Sequence, residues 1–201
     1  MTLIPPGTKF HGVDPSVPTQ DKKSALLNSY SEAYTIEDII AYFQAINLGW
    51  CRYDDGQYTP ASKLSINDGV EVVIPNNGAT TYKSDPTLAD FYDAATQKLV
   101  SSKVNDVYIV SVVFKASSSN ANQTHLEVSM SGPAGYERIN ESIGFYKGND
   151  EEQNIHRVYQ YYTDPDFVSN GAQLKVSSIG GNSKIWDVIF FIQRTQVGAS
   201  V

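Results

Sequence analysis

Few groups in this chain could do chemistry, and none are spaced to do it together. There are three histidines, His11, His125 and His156, and one cysteine, Cys51. No histidine has a second histidine, a cysteine or clustered carboxylates at the short spacing a zinc site requires. Cys51 stands beside Trp50 with no helix terminus or basic partner in view to lower its pKa, so it reads as a small buried hydrophobe, not a nucleophile. Acids group at Asp54-Asp55, Asp150-Glu151-Glu152 and Asp164/Asp166, among turn formers where carboxylates are ordinarily solvated. "TDPDFVSNG" offers oxygen ligands but lacks EF-hand spacing. "IGGN" and "SGPAG" match neither GxGxxG nor GxxxxGK[ST]. The expectation is a protein without catalytic residues, metal or cofactor, which acts by binding. The aromatics are richer. Of 13 tyrosines, Tyr159, Tyr161 and Tyr162 cluster in one stretch, and Trp50, Tyr53 and Tyr58 in another. Such rings suit half-buried strands, but they also anchor protein interfaces or stack on sugars.

Composition narrows the class. The chain has 201 residues, 41% hydrophobic and only 18% charged, below the roughly 25% usual in globular domains. Neutral polar residues and tyrosine make up the difference, as in an all-β protein. A net charge of -7 argues against nucleic-acid binding through a basic surface. No apolar run approaches the ~20 residues of a helical membrane span. The N-terminus "MTLIPPGTKF" has neither a basic start nor an apolar core, so no secretory signal is expected. A single cysteine excludes an intrachain disulfide and fits a reducing cytosol.

The elements that must position any binding surface fall in three zones. Residues 1–47 read as an attachment arm: proline-punctuated extended chain, then a helix over 35–46. Thr35 can cap this helix, and Ile36, Ile39, Ile40 and Phe43 form a narrow apolar stripe. Residues 48–67 read as a hairpin or linker with Asp55-Gly56 at its turn. Residues 68–196 read as about seven or eight strands separated by turns such as "SGPAG", "KGNDEE" and "SIGGNS", the pattern of a jelly-roll β-sandwich. "THLEVSMSG" alternates cleanly, with Leu126, Val128 and Met130 inward. Two strands do not. "VNDVYIVSVVFKA" sets Tyr108, Val110, Val112 and Phe114 on one face and Val107, Ile109, Ser111 and Val113 on the other. "KIWDVIFFIQRTQ" sets Trp186, Val188, Phe190 and Ile192 on one face and Ile185, Ile189 and Phe191, broken by Asp187 and Gln193, on the other. If these strands are neighbours, their shared sheet is apolar outside as well as inside, and another copy of the chain is the simplest cover.

Taken in order, "LIPPGTKFHGV", "SEAYTIEDIIAYF", "VEVVIPNNGATT", "DFYDAATQKLVSSKVNDVYIVSVVFKA", "FYKGNDEEQNIHRVYQYYT", "FVSNGAQLKVSS" and "IWDVIFFIQRT" resemble virion structural proteins of tailed bacteriophages of marine and cyanobacterial type. Their C-terminal module is a trimeric jelly roll similar in layout to the TNF/C1q type. The resemblance spans most of the chain but includes no catalytic motif. It implies a homotrimer in the virion, assembled in the host bacterial cytoplasm, without cofactor or catalysis. The compact arm-plus-head layout implies a capsid decoration (cement or head-fibre) protein bound to the major capsid protein or another virion protein. A short tail fibre or receptor-binding protein, or a host-glycan-binding module, is the alternative. On this reading Ile4, Phe10, Ile36, Ile39, Ile40 and Phe43 are the attachment residues, and Ile109, Val113, Ile185, Ile189 and Phe191 are the trimer interface. No nucleic acid or membrane partner is expected.

Overall fold

A computed structural model describes residues 48–132 and 137–198, without the side chains of Glu137 and Arg138. The expected arm, the helix expected over 35–46 and the six residues expected to attach it lie outside the described residues. The strands are β1 (Trp50–Asp54), β2 (Leu64–Ile66), β3 (Glu71–Val73), β4 (Thr80–Lys83), β5 (Tyr92–Asp93), β6 (Lys98–Leu99), β7 (Val107–Ser118), β8 (His125–Ser131), β9 (Glu137–Gly144), β10 (Gln153–Tyr162), β11 (Gln173–Ile179) and β12 (Ser183–Gln196). One short helix, α1 (Pro165–Asn170), separates β10 from β11.

The strands form two antiparallel sheets. One runs β10-β7-β12-β1-β4, with β2 also on β12; the other runs β3-β11-β8-β9. β5 and β6 make a separate small hairpin. The C-terminal strand is therefore central, hydrogen-bonded to β7 on one side and to β1 and β2 on the other. The two strands with apolar residues on both faces are neighbours, as the sequence required for a shared outer face. The core is one cluster, with Tyr108, Val110, Val112 and Phe114 of β7 and Val188, Phe190 and Ile192 of β12 on one side. Leu126, Val128 and Met130 of β8 and Leu174 and Val176 of β11 are in the same cluster from the other sheet, each no more than 2% exposed. Period-2 alternation makes this inevitable once one face of each sheet is withdrawn from water.

Two expectations are corrected here. Residues 48–67 are not a hairpin: β1 and β2 do not pair with each other but lie end to end along the same edge of β12, at Ile189–Gln193 and Ser183–Ile185. The loop between them is pinned elsewhere. Asp55 accepts from the Tyr58 and Asn77 N–H groups at 2.8 and 3.0 Å, and the Gly56 N–H donates to Asn77 Oδ1 at 2.9 Å. This segment is thus part of the jelly roll. The second correction is the phase of β12. Its pairing with β7 slips between Trp186 and Ile189, and Asp187 there takes a left-handed φ of 53°. A bulge adds one residue and so exchanges the faces on either side of it. Ile185 consequently points into the core at 0% exposure, where it has no surface to offer a second subunit. Trp186 lies in the other phase, fully buried, with the Lys63 ammonium 3.8 Å from its ring centroid.

The acidic "TDPDFVSNG" stretch also gains a local explanation. Asp164 caps α1, accepting from the Phe167 N–H at 2.8 Å, Pro165 opens the helix, and Gly171 ends it at φ 69°.

Candidate interaction face

Register across the six-stranded sheet lays its outer residues in rows. Val158 of β10, Ser111 of β7, Phe191 of β12, Arg52 of β1 and Tyr82 of β4 form one row. The next reads His156, Val113, Ile189, Asp54 and Thr80. On the other side lie Gln160, Ile109, Gln193 and Trp50. The four remaining residues expected at a subunit interface, Ile109, Val113, Ile189 and Phe191, are thus brought together across two adjacent strands, each half-buried. Around them the same face carries Val158, Tyr162 and Tyr82 at 57%, 60% and 51% exposure. A sheet face covered by no other described residue does not ordinarily collect aliphatic and aromatic residues at this density.

Trp50 stacks on Phe191 with centroids 5.3 Å apart and planes 26° apart. The Arg52 guanidinium makes a fork to Asp54, with 2.7 and 3.0 Å bonds, and lies 5.7 Å from the Tyr82 ring centroid. At one end Lys115 bridges Glu152 at 3.2 Å and Asp187 at 3.3 Å, and bonds to these two carboxylates hold its ammonium above the usual lysine range. An apolar centre fringed by paired charges and glutamines is the composition of an interface with a polar rim.

The tyrosine clusters divide. Tyr159, Tyr161 and Tyr53 are core residues at 8%, 5% and 2% exposure, and burial pushes their phenols well above the usual range. Of that set, Tyr162 alone is exposed. Cys51 is fully buried, and burial raises its thiol, as suits an inert hydrophobe. Among the described residues no three His, Cys, Asp or Glu groups come together, and no helix is long and apolar enough to cross a membrane.

One buried carboxylate escaped the sequence reading. Asp106, 0% exposed, accepts from Ser101 Oγ at 3.0 Å, Tyr108 Oη at 3.1 Å, Arg194 Nη1 at 3.3 Å and the Gly198 N–H at 2.8 Å. It latches the end of β12 to the start of β7. Nothing in "KVNDVY" distinguishes it from a turn acid. Its role is structural: every contact is internal to the fold.

Two face-to-face antiparallel sheets with the C-terminal strand at the centre of one define a jelly roll. A TNF, Eiger of S. frugiperda, has a similar structure, with a TM-score of 0.50 and 8% identity over 77% of this chain and 97% of its own. The chain also aligns with dimeric latent PorU from Porphyromonas gingivalis (TM-score 0.35, 9% identity, 76% of this chain and 13% of that one). A chain of infectious bursal disease virus Gx strain gives a TM-score of 0.26 at 9% identity, over 78% of this chain and 36% of its own. At those two scores neither bears on the fold. No protein-family model matches the chain, and no curated protein matches it. The fold is therefore a TNF-like jelly roll, at 8% sequence identity to the structure it resembles.

Proposed function

We propose that the protein is a homotrimeric structural protein of a tailed-phage virion, a decoration protein whose arm holds it to the capsid and whose jelly roll is displayed outward. It acts by binding, without catalysis or cofactor, and is assembled in the host bacterial cytoplasm. The observation that carries the reading is the apolar outer face centred on Ile109, Val113, Ile189 and Phe191. A second copy of the chain satisfies such a face with matching chemistry, and closed symmetry prevents open-ended growth. The TNF-like fold supports a sheet able to carry that face; the order of the sequence stretches quoted above supports the virion and the trimer. Attachment falls to the arm, through Ile4, Phe10, Ile36, Ile39, Ile40 and Phe43. Many copies on a lattice make weak individual contacts sufficient.

The test has two arms. Light scattering on the full chain and on residues 48–201, a cut that spares β1, gives the oligomeric mass; a trimer in both is expected, and a monomer in both refutes self-association through this sheet. Mixing each with undecorated capsids gives the attachment: the full chain should bind and the shorter one should not. Density only at the tail in images of the particle would replace decoration by the short tail fibre.

A further inference from the structure

A long strand at the edge of a sheet can pair with another chain through its outward N–H and C=O groups, and proteins ordinarily shorten, bend or charge such edges. Most edges of the two large sheets follow this rule. β2, β3 and β4 have three, three and four residues. β9 contains Glu137, Arg138 and Glu141, and its register with β8 shifts between Met130 and Ser131. β10 departs from it. This strand runs ten residues, Gln153–Tyr162, and pairs with β7 without a shift, while its other edge pairs with no described strand. It contains no proline, glycine, lysine or acid, and its one arginine, Arg157, is paired with Glu141 at 2.8 Å.

The ladder fixes which backbone groups face outward. The Thr163 N–H, just past the strand, donates to the Asp106 carbonyl at 2.9 Å. The unbroken register carries this alternation back along β10, so its odd-numbered residues bond to β7. The N–H and C=O groups of Asn154, His156, Val158 and Gln160 therefore point away from β7, and the side chains of these four residues are all exposed. Of these backbone groups, only the His156 carbonyl has a partner among the described residues, Arg157 Nη1 at 3.0 Å, and a carbonyl oxygen can accept a second bond.

We propose that β10 pairs with β10 of a second copy, antiparallel about a two-fold axis at Val158. This register sets Val158 against Val158 of the second copy and His156 against Gln160 of the second copy. All of these residues face their N–H and C=O groups outward, so the ladder closes without a gap. An axis between two residues would oppose outward-facing groups to inward-facing ones, and an axis nearer either end would shorten the overlap. Charge favours the copy as well. The chain has a net charge of -7, yet this strand brings no acid to the pairing. The acids that flank it are already engaged, Glu152 with Lys115 at 3.2 Å and Asp164 as the cap of α1. An unrelated extended chain would meet the same backbone groups, but only a copy brings this self-matched register. The contact is isologous, so it uses both free edges and stops at two. Pairing uses the backbone of the edge, whereas the trimer proposed above uses the side chains of the face. It therefore doubles whichever species the face forms and does not rest on that reading.

Sedimentation equilibrium on the full chain, from micromolar to near-millimolar concentration, tests this. The mass should double as concentration rises: trimer to hexamer where the face forms a trimer, monomer to dimer where it does not. The smaller species thus reports on the face and the doubling on the edge, so the two readings fail separately. Val158→Pro removes the outward N–H at the axis and spares the bonds to β7, as an edge strand tolerates. Each copy loses one bond, so the dissociation constant for doubling should rise about tenfold or more. Val158→Lys opposes two ammonium groups at the axis and should weaken doubling in the same way without touching the backbone. Circular dichroism on the same samples shows that each variant is folded. A mass that does not rise with concentration would overturn the proposal, as would doubling unchanged in both folded variants.

Discussion

Phe191→Asp puts the interface reading at greatest risk. Phe191 is half-buried in the single chain, where its main partner is the Trp50 ring at 5.3 Å. Losing an aromatic pair costs ~0.5–1.5 kcal/mol, so the isolated jelly roll should lose about 1 kcal/mol, and its melting temperature should fall by ~2–4 °C. The assembly should lose far more. Only the part of Phe191 still in water remains to be buried at an interface, ~0.5–1.5 kcal/mol per side chain, and a trimer buries three, so the loss is ~1.5–4.5 kcal/mol per trimer before the cost of desolvating three carboxylates. At about 1.4 kcal/mol per decade, the trimerisation constant falls by about one to three orders of magnitude from the lost burial alone. Size-exclusion chromatography with light scattering should therefore give the monomer mass while differential scanning fluorimetry still reports a folded protein. A trimer of undiminished mass refutes the assignment. Should the monomer precipitate, Val113→Lys tests the same surface from the neighbouring strand, since a lysine stem can lie along apolar surface with its charge in water.

Three further outcomes follow from the geometry. Ile185→Ala should cost ~2–5 kcal/mol in urea unfolding because that side chain is fully enclosed in the core; Ile189→Ala should cost the single chain far less and weaken the trimer instead, and the reverse order would show that the bulge does not reset the alternation. Asp106→Ala removes the fully buried acceptor shared by the Ser101 and Tyr108 hydroxyls, Arg194 Nη1 and the Gly198 N–H. It should cost ~3–5 kcal/mol, and a change below ~1 kcal/mol in chemical denaturation would show that the latch does not hold the C-terminal end. High pH should unfold the protein through its buried tyrosines. Burial, the largest cause, pushes Tyr108 up to about 12 and raises Tyr53, Tyr92, Tyr159 and Tyr161 as well. An unfolded tyrosine titrates near ~10. Above that the unfolded chain releases protons the folded chain keeps, so the stabilisation is complete below pH ~10 and is lost as the pH rises through about 12. Tyrosinate absorbance should then rise in step with loss of the near-ultraviolet circular dichroism; full tyrosinate absorbance from a protein still folded would contradict the burial.

What the sequence revealed, and what it hid, follows from one distinction. Period along a strand is written locally; register between strands is not. β8 was legible because Leu126, Val128 and Met130 alternate without interruption over a face that must be dry. The second apolar face of β7 was legible for the same reason, and with it the residue types of the interaction face. β12 carried the right pattern in the wrong phase before Asp187, because alternation cannot register a single inserted residue, and an aspartate that can adopt a left-handed backbone looks like any polar strand position. β1 and β2 read as a hairpin because Asp55-Gly56 is a good local turn, yet their partner lies at the far end of the chain. β4, β5 and β6, at two to four residues each, are too short to express a period. The sites inherit this division. The apolar outer face was visible because its signal is a stripe along two strands. The Asp106 latch was invisible because Arg194 and Gly198 reach its carboxylate only through the pairing of β7 with β12, and nothing near Asp106 in the chain announces either of them. A cluster assembled by register has no motif.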